Sequence, residues 1–143
     1  MSRLIPHDHP SIDSYRIPVG RHGGRRLRLE VAAELLPDDD VVRLILDETI
    51  RFAPVVADPT ADECWLTGAY DGPSVARTPA GAEDHLQAWL AERGIDAGRT
   101  VFLDVIAPAY AFGVREPGTD EHYPDVEAPS SSLADIARSL EDD

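Results

Sequence analysis

Four consecutive segments of the chain are short and rich in apolar residues, and the alternation of apolar and polar residues in the first of them limits the fold more than any other feature. In the first segment, Leu27, Leu29 and Val31 are separated by charged residues. A period of two residues is typical of a β-strand with one buried face. The segments predicted as strands are 25–33, 41–47, 50–57 and 64–70.

A single helical pattern follows this block of strands. Leu86, Trp89 and Leu90 recur with the spacing of one face of a helix. Thr78 precedes a proline, an arrangement typical of a helix N-cap. We therefore predict a helix near 79–93.

Two further strands, 101–106 and 110–115, are predicted after this helix, and a short amphipathic helix is predicted at 132–141. Because the first strands form a block of four and do not alternate with helices, a parallel βαβ fold is disfavoured. The sequence therefore predicts an α+β protein, a small, mostly antiparallel β-barrel or curled sheet of about six strands. One internal helix and a short C-terminal helix complete it.

The length of 143 residues fits one domain. Prolines recur in residues 1–20, which we predict to form an extended N-terminal arm. Residues 21–118 are predicted to form the barrel-like domain. Residues 119–131 are predicted to be an acidic loop before the C-terminal helix at 132–141.

The chain carries 27 acidic and 13 basic residues, and its formal net charge is −14. This magnitude exceeds the ~2–8 that suits a small soluble domain. Molar salt, with a Debye length of about 3 Å, screens the resulting self-repulsion. A GC-rich genome would explain why every basic residue is arginine, but it would not explain the acid excess. We therefore interpret the chain as a halophile protein.

This charge predicts that folding depends on salt. The Debye length falls from about 10 Å at 0.1 M salt to about 3 Å at molar salt, so the thermal midpoint should rise markedly over this range. Thermal denaturation followed by circular dichroism measures the midpoint. A midpoint that stays flat across the range would contradict the halophile interpretation.

The sequence indicates a cytoplasmic protein that does not enter a membrane. No apolar run approaches the ~20 residues that a spanning helix needs. The first residues lack the apolar core of a signal peptide. Cys64 is the single cysteine, so no disulfide forms within the chain.

A basic strip lies at the start of the predicted barrel. Residues 1–29 contain six arginines and two aspartates, whereas residues 30–143 contain seven arginines and 25 acids. A loop at 70–77 follows the fourth predicted strand, and a curled sheet can bring it beside the strip. In the alternative, each arginine pairs with one of the chain's own carboxylates. We predict a contact surface for a protein or an anionic ligand, formed by Arg21, Arg25, Arg26, Arg28, Tyr70, Asp71 and Arg77.

Nucleic acid is a specific alternative for the ligand of this surface. Arginine side chains bind phosphates well, and small barrels present nucleic acid on a sheet face. Two observations argue against it. Phosphate binding weakens as salt rises, and Tyr15 is the aromatic residue that lies near the strip in the sequence.

The sequence contains no catalytic or cofactor signature, and we expect no cofactor. His7 and His9 are candidate metal ligands, but a closed metal site requires three or four converging groups. Cys64 lies in a predicted core strand, where cysteine behaves as a small apolar residue. Asp104 interrupts the most apolar strand, and an inward-facing carboxylate would mark a functional site. We favour a binding module, and an enzyme with an unrecognised small-molecule pocket is the other alternative.

Five short motifs occur in order along the chain: DHPS at 8–11, RHGGRR at 21–26, GAYD at 68–71, ART at 76–78 and GVREPG at 113–118. In this combination the chain resembles a family of uncharacterised haloarchaeal proteins. The resemblance implies a cytoplasmic protein of a high-salt organism, and it implies no particular activity.

Overall fold

The computed structural model describes residues 4–24, 26–36, 41–58, 60, 62–79, 81–124 and 126. Within these ranges the chain forms nine strands and two α-helices. The strands are β1 (Leu4–Pro6), β2 (Asp13–Arg21), β3 (Leu27–Ala32), β4 (Val41–Leu46), β5 (Thr49–Ala57), β6 (Glu63–Leu66), β7 (Thr100–Ala107), β8 (Ala111–Arg115) and β9 (His122–Pro124). The helices are α1 (Pro73–Arg77) and α2 (His85–Glu92).

Seven strands close into a barrel in the order β2-β3-β6-β5-β4-β8-β7. The α+β class and the barrel predicted from the sequence are confirmed. The strand count and the pairing differ from the prediction of about six mostly antiparallel strands. Seven strands form the barrel, and it is mixed because β4 and β8 pair in parallel.

The additional barrel strand comes from residues 1–20, which we had predicted to be an extended arm. Asp13–Pro18 pairs with β7, and Val19–Arg21 pairs with β3. β2 therefore joins the two edges of the sheet and closes the barrel. The recurring prolines argued against a strand in this segment. Pro18, however, lies at the last pair with β7, where the missing backbone N–H costs little stability.

The internal helix begins later than the sequence predicted. α2 starts at His85, and its N-cap is Asp84, whose side chain accepts backbone N–H groups of the first turn. Thr78 instead ends the short helix α1. Gly81 has a φ of +81°, outside the right-handed helical region, so a helix cannot run continuously from 79 to 93.

The barrel interior is filled with aliphatic side chains. Leu29, Leu44 and Leu66 are fully buried there, and α2 adds Trp89 and other apolar residues to the same cluster. Phe102 of β7, although aromatic, is only half-buried. It alternates with the inward-facing neighbours in β7 and lies on the outer wall.

A ribbon of β1 and β9 covers part of that outer wall. Leu4 pairs with Pro124, and Ile5 pairs with Tyr123. Ile5 and Tyr123 pack with Ile45 in a second apolar cluster outside the barrel. This ribbon includes part of the predicted acidic loop at 119–131, whereas the predicted helix at 132–141 lies outside the described residues.

Glycine makes the ribbon's close approach to the barrel possible. A Cβ atom on Gly113 of β8 would lie 2.2 Å from the ring of Tyr123. That distance is far below van der Waals contact, so a larger residue would push the ring away. The Tyr123 ring therefore packs directly on the backbone of Gly113.

The ribbon also covers a buried polar network centred on Asp104. Its carboxylate accepts hydrogen bonds from Tyr123 Oη at 2.5 Å, Arg115 Nε at 2.9 Å and Ser14 Oγ at 2.5 Å. Burial, followed by the hydrogen bond to Asp104, raises the pKa of Tyr123, so its hydroxyl stays protonated and donates. Asp104 thus faces outward from the barrel but is sealed from solvent.

No helix in the described part of the chain is long and apolar enough to cross a membrane.

Candidate binding surface

Arg26 and Tyr70 meet at Asp84, so Arg26 pairs with one of the chain's own carboxylates. Arg26 Nη2 donates to Asp84 Oδ2 at 2.7 Å and to the carbonyl oxygen of Thr67 at 2.8 Å. The hydroxyl of Tyr70 donates to the same carboxylate oxygen at 3.3 Å. The three side chains connect the start of β3, the segment after β6 and the start of α2.

Both oxygens of Asp84 are used within the fold. Oδ1 accepts the N–H groups of Leu86 at 3.1 Å and Gln87 at 3.3 Å, which caps α2, and also that of Ala69 at 3.1 Å. Gly68 allows this approach, because a Cβ there would lie 2.6 Å from Asp84 Oδ2. We call Arg26, Tyr70 and Asp84 the polar brace.

The electrostatics of the polar brace are those of a satisfied ion pair. Partial burial lowers the pKa of Arg26, but its bonds to Asp84 and Tyr70 outweigh burial and raise the pKa overall. Burial, together with the charge of Asp84, raises the pKa of Tyr70. The arginine is therefore charged, the phenol is neutral, and the brace holds the fold together instead of offering an open site.

Beside the brace, Asp71 and Glu83 hold His85 between them. His85 Nε2 lies 2.9 Å from Asp71 Oδ1, and His85 Nδ1 lies 3.4 Å from Glu83 Oε2. Arg51 bonds to the same oxygen of Asp71. Arg51, Glu83 and His85 border a groove of about 170 Å³ that is also lined by Trp89. Because both imidazole nitrogens face carboxylates, His85 is poorly placed to act as a free general base.

A second arrangement of arginine lies on the outer wall of β3 and β6. The Arg28 guanidinium lies 3.9 Å from the centre of the Trp65 ring, and its Nε donates to Glu30 at 3.0 Å. His22 contacts the Trp65 ring edge-on at 5.7 Å. Burial, then the charges of Arg28 and Arg26, lowers the pKa of His22, so this imidazole is neutral at pH 7.

A third arginine, Arg43 of β4, lies between two aromatic rings. Its guanidinium is 4.1 Å from the centre of Tyr110 and 5.2 Å from that of Phe52. The Arg43 side chain makes no hydrogen bond or ion pair with any residue that the structure describes. It is half-buried, and its N–H donors are unused among these residues.

β5 and β8 flank β4 in the barrel, so Phe52, Arg43 and Tyr110 form one patch of the outer wall. We call this patch the arginine–aromatic wall. Arg28 and Trp65 lie apart from it, because β3 is three strands away from β4 in the closed barrel. The polar brace supports the arginine–aromatic wall, because the backbones of Tyr70 and Phe52 exchange two hydrogen bonds of 2.8 Å.

A family model for a family of unknown function matches residues 1–140. The chain belongs to that family, DUF7112. No curated protein matches the chain, and no solved structure does. The match covers almost the whole chain, and the description of the family gives no activity.

The structure brings together only part of the contact surface predicted for this DUF7112 chain. Arg26 and Tyr70 share Asp84, and Asp71 lies beside them. Arg28 lies apart from that group, on Trp65. The other predicted members are Arg21 and Arg77, exposed at the ends of β2 and α1, and Arg25, which lies outside the described residues.

The candidate metal ligands make ordinary polar contacts. His7 Nδ1 accepts the backbone N–H of Glu121 at 3.2 Å. His9 Nδ1 accepts the backbone N–H of Ser11 at 3.1 Å and lies 2.7 Å from its hydroxyl. Across the residues described, no three His, Cys, Asp or Glu side chains are grouped in a way that could hold a metal ion.

Sequence reasoning missed Trp65, Phe52, Arg43 and Tyr110. Each aromatic residue lies in a different segment of the chain from the arginine that it contacts, so no local motif links them. The available signal was the alternation itself, because it places Arg43 on the face of β4 opposite the buried Val42 and Leu44.

Proposed function

We propose that this DUF7112 chain is a binding module that acts in the cytosol of a halophile. Its partner contacts the arginine–aromatic wall. The observation that carries this proposal is Arg43, a cation stacked on two rings with no described hydrogen-bonding partner, in a protein of net charge −14.

The closed barrel supports a contact through side chains. A protein with an exposed edge strand can bind a partner by adding a strand to its sheet. The seven barrel strands have no such edge, because β2 joins β3 on one side and β7 on the other. A partner of the barrel therefore meets the outer wall.

The composition of the wall also supports binding. Tryptophan, tyrosine and arginine are the residues that most often dominate the binding energy of protein interfaces. Tyr110 and Arg43 supply two of these types on one patch, and each is half-buried. Stacking on the rings limits the motion of the guanidinium group, which lowers the entropy lost when a partner binds.

The residues that resemble catalytic groups favour binding over an enzyme. His85 has a carboxylate at each nitrogen, and Asp104 is enclosed by three donors. A groove of about 380 Å³ at the start of β7 is lined by Arg99, Thr100 and Glu116 but by none of the predicted binding residues.

The test is capture of a partner by matched surface variants at molar salt. Wild-type protein, Arg43→Gln and Arg16→Gln are immobilised and exposed to an extract of the source organism. Arg16 is the matched control because it also stacks on an aromatic ring, Phe102, and its loss removes the same charge from another part of the barrel. We expect wild type and Arg16→Gln to retain a partner that Arg43→Gln loses. Equal recovery from all three proteins would overturn the proposed surface.

A further inference from the structure

We infer that the groove between α2 and the β4–β5 hairpin binds a small zwitterion of the amino-acid type. The carboxylate of this ligand lies on the donors in the inner part of the groove, and its ammonium group faces the acids at the rim. The site is distinct from the arginine–aromatic wall. Arg51 lines the groove, and its neighbour Phe52 leaves β5 on the opposite face, because successive side chains of a strand alternate.

Two elements form the sides of the groove, whose volume is about 170 Å³. The hairpin lines one side, between Leu46 and Arg51. α2 lines the other with four residues at a spacing of three, four and seven, which places them on one helix face: His85, Ala88, Trp89 and Glu92. Arg93 joins the two sides, since its guanidinium lies 4.4 Å from the centre of the Trp89 ring and bonds to Asp47.

The indole nitrogen of Trp89 is the observation that points to a ligand. Trp89 is 3% exposed, and among the residues that the structure describes its Nε1 is the buried side-chain polar atom without a hydrogen-bond partner. Buried donors are nearly always paired, so an exception calls for a bound molecule or a function. Trp65, by contrast, donates its indole N–H to Glu63 at 2.9 Å. A ligand carboxylate in the groove supplies the acceptor that Trp89 lacks.

The charges of the groove differ between its inner part and its rim. The side chain of Arg51 is 26% exposed and Trp89 is buried, so these two donors lie deep. The side chains of Glu83 and Glu92 are 74% and 69% exposed, so the carboxylates lie at the rim. This order matches a ligand that enters with its negative end first and keeps its positive end outside.

Both parts of the groove keep hydrogen-bonding capacity that the fold does not use. Arg51 donates through Nη1 to Asp71, and the other N–H groups of its guanidinium have no acceptor among the described residues. Glu92 lies 3.9 Å from Arg93 Nη1, which is too far for a hydrogen bond. A guanidinium suits a carboxylate, and a free carboxylate suits an ammonium group.

A zwitterion fits these groups better than a simple ion does. An anion alone meets the acids of the rim, and a cation alone leaves the indole N–H of Trp89 without an acceptor. No His, Cys, Asp and Glu side chains in the described ranges are grouped in a way that could hold a metal ion. A water molecule occupies about 30 Å³ of the liquid, so the groove takes about five or six groups of that size. Glycine and alanine have this number of non-hydrogen atoms.

The experiment is NMR spectroscopy of the isotope-labelled full chain at constant molar KCl. The chain has 2 tryptophans, so two indole N–H signals are observed, and Trp65→Phe assigns them. Glycine, acetate and methylammonium are titrated separately. Acetate carries only the negative end of the ligand, and methylammonium carries only the positive end.

We expect glycine to shift the Trp89 indole signal until it saturates and to leave the Trp65 signal in place. Acetate should bind about 2- to 5-fold more weakly than glycine, as for the loss of an exposed ion pair. Methylammonium should not move the Trp89 signal, because it brings no acceptor.

Three variants test the residues. Arg51→Gln should weaken glycine binding by about 10- to 100-fold, as for the loss of a hydrogen bond to a charged group. Arg16→Gln is the matched control, because it removes the same charge from the outer wall beside Phe102 and should leave binding unchanged. Glu92→Gln should weaken binding by about 2- to 5-fold. Circular dichroism confirms folding, and Glu92→Gln at the exposed rim keeps the test decisive if Arg51→Gln does not fold.

Four results would overturn the inference. These are no saturable shift of the Trp89 signal with glycine, equal shifts of both indole signals, equal affinities for glycine and acetate, or equal weakening by Arg51→Gln and Arg16→Gln. The first would mean that the indole N–H of Trp89 binds water only. None of these results bears on the arginine–aromatic wall, which the capture experiment tests with a variant outside the groove.

Discussion

Replacing Asp104 with alanine should lower the free energy of unfolding by about 3–5 kcal/mol, the usual cost of removing one partner from a buried ion pair. Asp104 is fully buried, and Arg115 is 8% exposed. Without the carboxylate, the Arg115 charge stays buried and uncompensated, and the hydroxyl of Tyr123 loses its acceptor. Urea denaturation at constant molar salt measures the change.

Asp13→Ala is the matched control for this prediction. Asp13 is an exposed aspartate at the start of β2, opposite Val105 of β7. Its replacement removes the same charge from the surface and should change stability by no more than about 0.5 kcal/mol. A loss for Asp104→Ala as small as that of the control would mean that the network does not stabilise the fold.

Replacing Leu44 with alanine should cost about 2–5 kcal/mol, because it leaves a cavity in the barrel interior. Leu44 is fully buried in β4, between the antiparallel β5 and the parallel β8. The cost depends on how far the surrounding side chains can relax, and strands paired on both sides relax little. Chemical denaturation at constant salt gives the value.

Leu4→Ala provides the comparison for the cavity. Leu4 is 47% exposed, so the same truncation there removes little buried surface. We expect a change within about 0.5 kcal/mol for this variant. If Leu44→Ala were equally mild, the assignment of Leu44 to the barrel interior would be wrong.

The sequence predicted those parts of the fold that leave a local pattern. β3 and the first half of β4 alternate between buried and more exposed residues, since a half-buried strand has a period of two. β2 has the same alternation in its buried Ile17 and Val19. Its prolines argued against a strand, and its pairing with β7 is known only from the closed barrel. The parallel pairing of β4 with β8 likewise depends on chain segments far apart in sequence.

One contact of the site could be anticipated from the predicted shape of the sheet. The curl of the sheet led us to expect Arg26 near Tyr70, and the polar brace joins them. The stack of Arg43 on Tyr110 could not be predicted, because the two residues meet only through the order of strands in the barrel. Trp65, which packs on Arg28, likewise comes from a strand that is distant in sequence.

Asp104 shows the same limit for a single residue. A carboxylate within an apolar strand was visible in the sequence, but whether it faced inward or outward was open. Its side chain faces outward, where the β1–β9 ribbon covers it. The burial of Asp104 therefore results from the β1–β9 ribbon, which the alternation of residues in β7 does not reveal.

The pairing of β1 with β9 has a consequence for how the protein is made. Residues 4–6 pair with residues 122–124, so nearly the whole described chain lies between the two partners. Contacts of such long sequence separation slow folding, because the intervening segment must be ordered before they form. During synthesis, β1 leaves the ribosome well before its partner and stays unpaired until residue 124 has emerged. Until then, the apolar surface around Ile45 and Gly113 stays uncovered, and a nascent chain is exposed to aggregation at that wall.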